Sequence, residues 1–230
     1  MKNIGESFRI PVTVALLFWS IELLKAVGLD FTSWGIYPRT LKGLFGILFA
    51  PFLHGSISHL VSNTPAFILL MAFILFFYRR VAFWVIVGIW FFTGLSVWLF
   101  ARSSYHIGAS GLVYGFASFL FFSGLFRKNI RSLMIAISVY FLYGGMVYGI
   151  FPVRGGISWE SHLFGALVGM FLAYFFRNQK EQLPSDKKND PTHLEGYNPL
   201  KSKTYKYCFI EKEPTKTFFC RQKDFFDVKL

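Results

Sequence analysis

The stretch GASGLVYGFASFLFFSGLF at residues 108–126 carries no charged side chain and is long enough to cross the hydrocarbon core of a bilayer. It is one of six apolar runs that are separated by polar breaks. The runs are residues 10–27, 57–78, 82–101, 108–126, 132–151 and 160–176. Their apolar residues are continuous rather than alternating, which favours helices and excludes a transmembrane β-barrel. The sequence therefore predicts an all-α, polytopic membrane protein with a bundle of six transmembrane helices.

The composition of the chain agrees with a membrane protein. Of its 230 residues, 54% are hydrophobic and only 16% are charged, whereas soluble domains carry about 25% charged residues. These proportions exclude a disordered chain, a disulfide scaffold and most soluble enzymes. In so apolar a chain, the net charge of +12 is typical of basic cytoplasmic loops. No basic face alternates with aromatic residues, so we expect the lipid bilayer, and no nucleic acid, as a partner.

The lysines and arginines predict how the chain crosses the membrane. They are concentrated in the breaks on the side of the N-terminus and just after the last apolar run. By the positive-inside rule, we expect a multi-pass protein of the cell membrane with both termini in the cytoplasm. The first run is long for a signal peptide and contains Glu22 and Lys25, so we expect it to remain as a span. These two residues are interpreted as a local pair near the end of the span.

The sequence also predicts a division into two parts. Residues 1–178 form the six-span membrane core, and residues 179–230 form a polar cytoplasmic tail, a linker followed by a short appendage. Within the appendage, YKYCFI at residues 205–210 and TKTFF at residues 215–219 are candidate strands. Both cysteines of the chain lie in the tail, where the absence of a CxxC spacing favours reduced thiols over a metal site.

Polar side chains occur at the start of three of the predicted spans, where their burial is costly and therefore informative. His54, His59 and Asn63 occur in HGSISHLVSN, and the last two share one helix face because they are four residues apart. Ser110 begins the fourth span and His162 the sixth. These three spans run in the same direction in the predicted topology. Four of these side chains, His54 excepted, should therefore lie at a similar shallow depth below the outer surface.

This combination of residue types suits acyl transfer. A hydroxyl becomes a nucleophile when a neighbouring base takes its proton, and His162 can do this for Ser110 if packing fixes the imidazole ring. The His59 ring N–H, the Asn63 amide and the Ser110 backbone N–H are donors that can stabilise the developing oxyanion. We expect neither a metal nor a cofactor, because no H-E-x-x-H motif occurs.

Glycines four residues apart predict a close approach of the fourth and sixth spans. The pairs are Gly111 with Gly115, and Gly165 with Gly169. Small residues at this spacing let two helix backbones pack closely, which would bring Ser110 within hydrogen-bond reach of His162. Gly108 and Gly111, on either side of the serine, leave room for a substrate backbone.

At these residues the sequence resembles the rhomboid family of intramembrane serine proteases. Three motifs match in order over about residues 8–176: HGSISHLVSN, the GASG that precedes Tyr114, and SHLFGALVG. The resemblance implies a six-helix rhomboid-like bundle in which Ser110 is the nucleophile and His162 the general base. It further implies oxyanion-hole roles for His59 and Asn63, a supporting role for His54, and packing of Tyr114 on the His162 ring. The implied reaction is hydrolysis of a peptide bond in or near a transmembrane segment of a membrane-protein substrate, often after a small residue.

Other interpretations of the same residues remain open. A non-catalytic rhomboid-like protein that binds transmembrane helices would lack Ser110 or His162, and both are present. A transporter would more often carry charges at the bilayer midplane. His106 is interpreted as a loop residue without a role. If the polar cluster is catalytic, it should line a water-accessible cavity flanked by the breaks at residues 102–107 and 152–160, with Gly155 and Gly156 in a movable lid.

Overall fold

A computed structural model describes residues 4–152, 158–179, 204–209 and 219–224. Seven α-helices form most of the first two of these ranges. The helices are α1 Ile4–Ala26, α2 Leu41–Phe49, α3 Ile57–Phe77, α4 Ala82–Phe100, α5 Ser110–Arg127, α6 Ile130–Tyr143 and α7 Trp159–Phe175. Three 3₁₀ segments, Thr32–Trp34, Ala50–Phe52 and Gly144–Ile150, complete the regular structure of these residues. The predicted lid glycines, Gly155 and Gly156, lie outside the described residues.

Five helical segments of the described residues have the length and apolar composition to cross a membrane. Four of them are α1, α3, α4 and α5, and the fifth is Ile130–Ile150, in which α6 continues as a 3₁₀ segment. The sixth predicted span is α7, whose 17 residues extend about 26 Å at 1.5 Å per residue, less than the ~30 Å of hydrocarbon. The prediction of an all-α, polytopic membrane protein is confirmed, and the count of six spans is approximate.

The long break between the first two spans contains a helix that hydropathy alone does not indicate. Helix α2 begins after Thr40, whose Oγ1 accepts a hydrogen bond from Gly43 N at 3.1 Å and caps the first turn. One side of α2 packs on the protein through Gly43, Gly46 and Ile47. The opposite side exposes Leu41, Phe45 and Leu48. An exposed apolar face of this kind suits contact with lipid.

Helix α5 lies at the centre of the bundle and contacts α3, α4, α6 and α7. Its closest partner is α7, because glycines on both helices remove the side chains that would separate them. A Cβ at Gly165 would overlap the carbonyl oxygen of Gly111, and a Cβ at Gly169 would overlap that of Gly115. These helices therefore touch backbone to backbone, which fixes the relative position of their first turns.

The chain divides into two compact units, Met1–Pro184 and Ser185–Leu230. In the second unit the structure describes an antiparallel pair of strands, β1 Thr204–Phe209 and β2 Phe219–Asp224, in a register that sets Cys208 opposite Cys220. Strand β1 confirms the first candidate strand. Strand β2 includes the last residue of the second candidate, TKTFF, and the first four residues of that candidate lie outside the described residues. The predicted linker between residues 180 and 203 lies outside the described residues.

Candidate active site

The first turns of α5 and α7 bring Ser110 and His162 into contact. Ser110 is the first residue of α5, and His162 lies in the first turn of α7. The Ser110 Oγ and His162 Nε2 atoms are 2.8 Å apart, a normal hydrogen-bond distance. The two residues are 5% and 6% exposed. The close packing of α5 on α7 along the following turns holds this contact in place.

A backbone carbonyl sets the protonation of the His162 ring. His162 Nδ1 lies 2.9 Å from the carbonyl oxygen of Gly149. Because a carbonyl oxygen only accepts hydrogen bonds, Nδ1 carries the proton of the neutral ring. Nε2 is then the acceptor, and the Ser110 hydroxyl donates to it. This is the tautomer that a general base facing a serine needs, and Gly149 occupies the orienting position that an aspartate holds in a catalytic triad.

Tyr114 fixes the plane of the same ring. Its ring stacks on that of His162 with the centroids 4.1 Å apart and an angle of 5° between the planes. The Tyr114 hydroxyl donates to the carbonyl oxygen of Met146 at 2.7 Å. Met146 and Gly149 both belong to the 3₁₀ segment that follows α6. One short segment therefore accepts hydrogen bonds from the histidine and from the tyrosine that packs on it.

His59 and Asn63 lie on the first turns of α3 and line the same cavity as Ser110 and His162, the dyad of the site. Ser56 caps this helix by accepting a hydrogen bond from His59 N at 3.2 Å, which sets the start of the helix. Asn63 is 8% exposed, and its Nδ2 atom has no hydrogen-bond partner among the described residues. A buried amide donor without an acceptor is costly. Such a donor is available to an oxygen atom of a bound substrate.

His54 supports the start of α5 from the loop before α3. Its Nε2 atom accepts a long hydrogen bond of 3.5 Å from the backbone N–H of Ala109, the residue before Ser110. Burial, followed by the neighbouring His59, lowers the pKa of His54 to about 4, so its ring is neutral at physiological pH. Lys25, paired with Glu22 at 2.9 Å, donates to the His54 carbonyl oxygen and ties α1 to this loop.

The backbone at Gly108 brings the loop before α5 close to His59. Gly108 has a φ of 115°, which a residue with a side chain rarely adopts. A Cβ at this position would lie 2.9 Å from His59 Cε1. Glycine is therefore required here both by the backbone conformation and by the histidine ring beside it.

A cavity of about 760 Å³ connects these side chains. The residues that line it include His59, Asn63, Ser110, Tyr114 and His162, together with Ser56, Ser58, Ser62, Tyr105, Ile107, Met146 and Ser158. Its serine-rich wall suits water, because the hydroxyl groups can hydrogen-bond to it. Three of the lining residues, Tyr105, Ile107 and Ser158, belong to the two breaks that were predicted to flank the cavity.

Two features of the site were missed from the sequence. The Gly149 carbonyl carries no signal in the residue type, because every residue has a carbonyl. His106 was interpreted as a loop residue without a role, yet it is 2% exposed and hydrogen-bonded through both ring nitrogens. Its position in HIGASG, four residues before Ser110, is the signal that could have identified it.

Comparisons with known proteins identify the family. A family model described as the Rhomboid domain matches residues 42–179. An uncharacterized protein of Mycobacterium tuberculosis is 36% identical over 174 residues, which cover 71% of this chain and 72% of the relative. An uncharacterized protein of Mycobacterium leprae is 40% identical over 175 residues, covering 71% and 68% of the two chains. Because the Rhomboid domain model matches more than half of the chain and several helices of the chain are apolar and long enough to span a membrane, the chain belongs to the rhomboid family of multi-pass membrane proteins.

Proposed function

We propose that the protein is an intramembrane serine endopeptidase that uses Ser110 as nucleophile and His162 as general base. The observation that carries the proposal is the buried contact of 2.8 Å between Ser110 Oγ and His162 Nε2, with Gly149 holding the reactive tautomer. Membership of the family supports it, since the rhomboid motifs noted in the sequence fall on the same residues. No cofactor or metal takes part in the proposed reaction.

The first half of the reaction forms an acyl-enzyme. Ser110 Oγ attacks the carbonyl carbon of the scissile peptide while its proton passes to His162 Nε2. The Gly149 carbonyl, which accepts from Nδ1–H, stabilises the positive ring that forms. When the tetrahedral intermediate collapses, the C–N bond breaks and His162 gives the proton to the leaving nitrogen. The amine product departs and the ester on Ser110 remains.

Three donors stabilise the negative oxygen of the intermediate. Asn63 Nδ2 is buried and no other described residue accepts a hydrogen bond from it, and His59 lines the same cavity. The Ser110 backbone N–H is the first of α5, so it has no acceptor within the helix. The positive end of the helix dipole adds to its effect on an anion.

The second half of the reaction is hydrolysis of the ester. Water reaches the dyad through the serine-rich cavity, and His162 takes a proton from it as it attacks the acyl carbon. The second tetrahedral intermediate uses the same three donors. Its collapse returns the proton to Ser110 and releases the carboxylate product.

The proposed substrates are membrane proteins cut in or near a transmembrane segment. A protein with several apolar spans meets its substrates in the bilayer, and the cavity opens beside the first turns of spanning helices. The distribution of lysine and arginine supports an orientation with both termini in the cytoplasm. In that orientation the dyad lies near the outer surface.

Cleavage by the purified protein tests the proposal. Wild-type protein in detergent should cut a single-span substrate at one position, located by mass spectrometry, and Ser110 should react with a fluorophosphonate. Ser110→Ala should lose both activities with its thermal unfolding unchanged. Ser123→Ala, which alters another buried serine of α5, should keep them. Cleavage by purified Ser110→Ala would overturn the proposal, and a folded wild type that binds such helices without cutting would favour a non-catalytic role.

A further inference from the structure

A second serine–histidine contact lies beside the dyad and has no part in the reaction described above. His106 Nδ1 is 2.6 Å from Ser158 Oγ. His106 Nε2 is 3.0 Å from the carbonyl oxygen of Arg102. The His106 side chain is buried in the loop before α5, where each ring nitrogen has a partner.

The partners determine where the protons lie. The Arg102 carbonyl can only accept, so His106 Nε2 carries the proton and Nδ1 is an acceptor. Burial lowers the pKa of His106, which keeps the ring neutral and this tautomer in place. The Ser158 hydroxyl must therefore donate to Nδ1. Ser158 Oγ then accepts from the Ser161 hydroxyl at 2.6 Å and from the Ser161 N–H at 3.3 Å.

This contact joins the starts of the two helices that carry the dyad. His106 lies four residues before Ser110, and Ser158 lies four residues before His162. Ser158 is the N-cap of α7, so its side chain defines where that helix begins. The His106 ring is thus bonded to the cap of the helix that carries the general base.

The loop that holds His106 is itself firmly attached. His106 N donates to Ile36 O at 2.8 Å, and Ile36 N donates to His106 O at 3.0 Å. Gly108 N donates to Ala50 O at 2.9 Å. An ion pair of 3.4 Å between Arg102 Nε and Glu160 Oε1 links the same loop to the first turn of α7. These contacts hold the His106 ring in position to accept the hydrogen bond from Ser158.

We propose that His106 is a positioning residue for the general base. By accepting the Ser158 hydroxyl, it fixes the first turn of α7 against the start of α5 and so sets the distance between His162 Nε2 and Ser110 Oγ. The inference rests on the proposed function, because it assigns a role relative to that dyad. A role in stability alone would give the same burial but would leave the reactivity of the folded protein unchanged.

The rate of Ser110 labelling by a fluorophosphonate tests this directly, since it depends on the dyad and on no substrate helix. We expect His106→Leu and Ser158→Ala each to slow labelling about tenfold to a hundredfold, the loss that a displacement of about 1 Å can cause. Ser158→Ala also removes the N-cap of α7, so it should be the slower single variant. The double variant should be no slower than Ser158→Ala, because the contact between the two side chains is already lost there. His106→Asn should recover most of the rate, since its amide oxygen can accept the Ser158 hydroxyl.

Ser118→Ala is the matched control. Ser118 Oγ donates to Ala166 O at 2.6 Å and links the same two helices farther from the dyad, so its loss should lower the unfolding temperature without slowing labelling. Wild-type labelling rates in His106→Leu and Ser158→Ala would overturn the inference and leave the proposed function standing. Equal slowing by Ser118→Ala would also overturn it. A wild type that does not react at Ser110 would overturn the proposed function and the inference together.

Discussion

The Nδ2 atom of Asn63 is buried and has no hydrogen-bond partner in the described part of the chain, at a place where the proposed reaction creates a negative oxygen. If it donates mainly to the tetrahedral intermediate, Asn63→Ala lowers kcat and changes KM little. Losing one donor of this kind typically costs on the order of 10²–10³ in rate. We expect a loss toward the lower end, because His59 and the Ser110 N–H remain. Steady-state cleavage of a single-span substrate gives both constants.

Thermal unfolding of the same preparation supplies the control for Asn63→Ala. Removing a buried Nδ2 donor that has no acceptor among residues 4–152 and 158–179 should leave the unfolding temperature near that of the wild type, or raise it. A lower unfolding temperature with an unchanged kcat would contradict the proposed role and would mean that Asn63 holds a neighbouring helix instead.

The residues of the site differ in how visible they are in the sequence. Ser110, His162 and Asn63 can be singled out because a hydroxyl, an imidazole and an amide are costly in an apolar run. The Gly149 carbonyl acts through the backbone, and its contact with His162 arises only when the chain after α6 tightens into a 3₁₀ segment. His106 lies in a polar break, where a histidine is not unusual. Its burial, which makes it notable, is seen only in the folded structure.

At the scale of helices, the pairing of α5 with α7 determines the geometry of the dyad. Gly169 lies about two turns below His162, and a Cβ there would overlap Gly115 O and come within 3.0 Å of Phe119 N. We therefore expect Gly169→Ala to push α7 away from α5. Forcing a methyl group into a close contact typically costs about 1–3 kcal/mol of stability. The cleavage rate should fall with the unfolding temperature, although the substitution touches no reacting group.

Gly88→Ala is the comparison for Gly169→Ala, because Gly88 also faces α7 from another helix. Its Cβ would meet Leu172 Cδ1 at 3.1 Å, the end of a flexible side chain rather than a backbone atom. We expect smaller changes in unfolding temperature and rate. If both alanine variants behave like the wild type, backbone contact between α5 and α7 does not control the dyad.

Helices could be predicted from the sequence where an apolar run is long enough to cross the bilayer. Each apolar run that the sequence contains became a helix, because a backbone in hydrocarbon must satisfy its own hydrogen bonds. Helix α2 was not predicted, since its nine residues are too few for a hydropathy signal. Neither was the change at Gly144 from α-helix to 3₁₀, because the apolar run continues through it without a break.

At the scale of the whole molecule, every residue that we place in the catalytic machinery lies between His54 and His162. Arg127 holds the chain just after α7, because it donates to Phe176 O at 2.9 Å and to Gln179 O. A chain ending at Gln182 keeps both acceptors, so we expect it to retain the wild-type unfolding temperature and the cleavage of a minimal single-span substrate. A chain ending at Phe175 loses both of these hydrogen bonds, so its unfolding temperature should fall. Loss of cleavage in the folded Gln182 truncation would show that the tail takes part in the reaction.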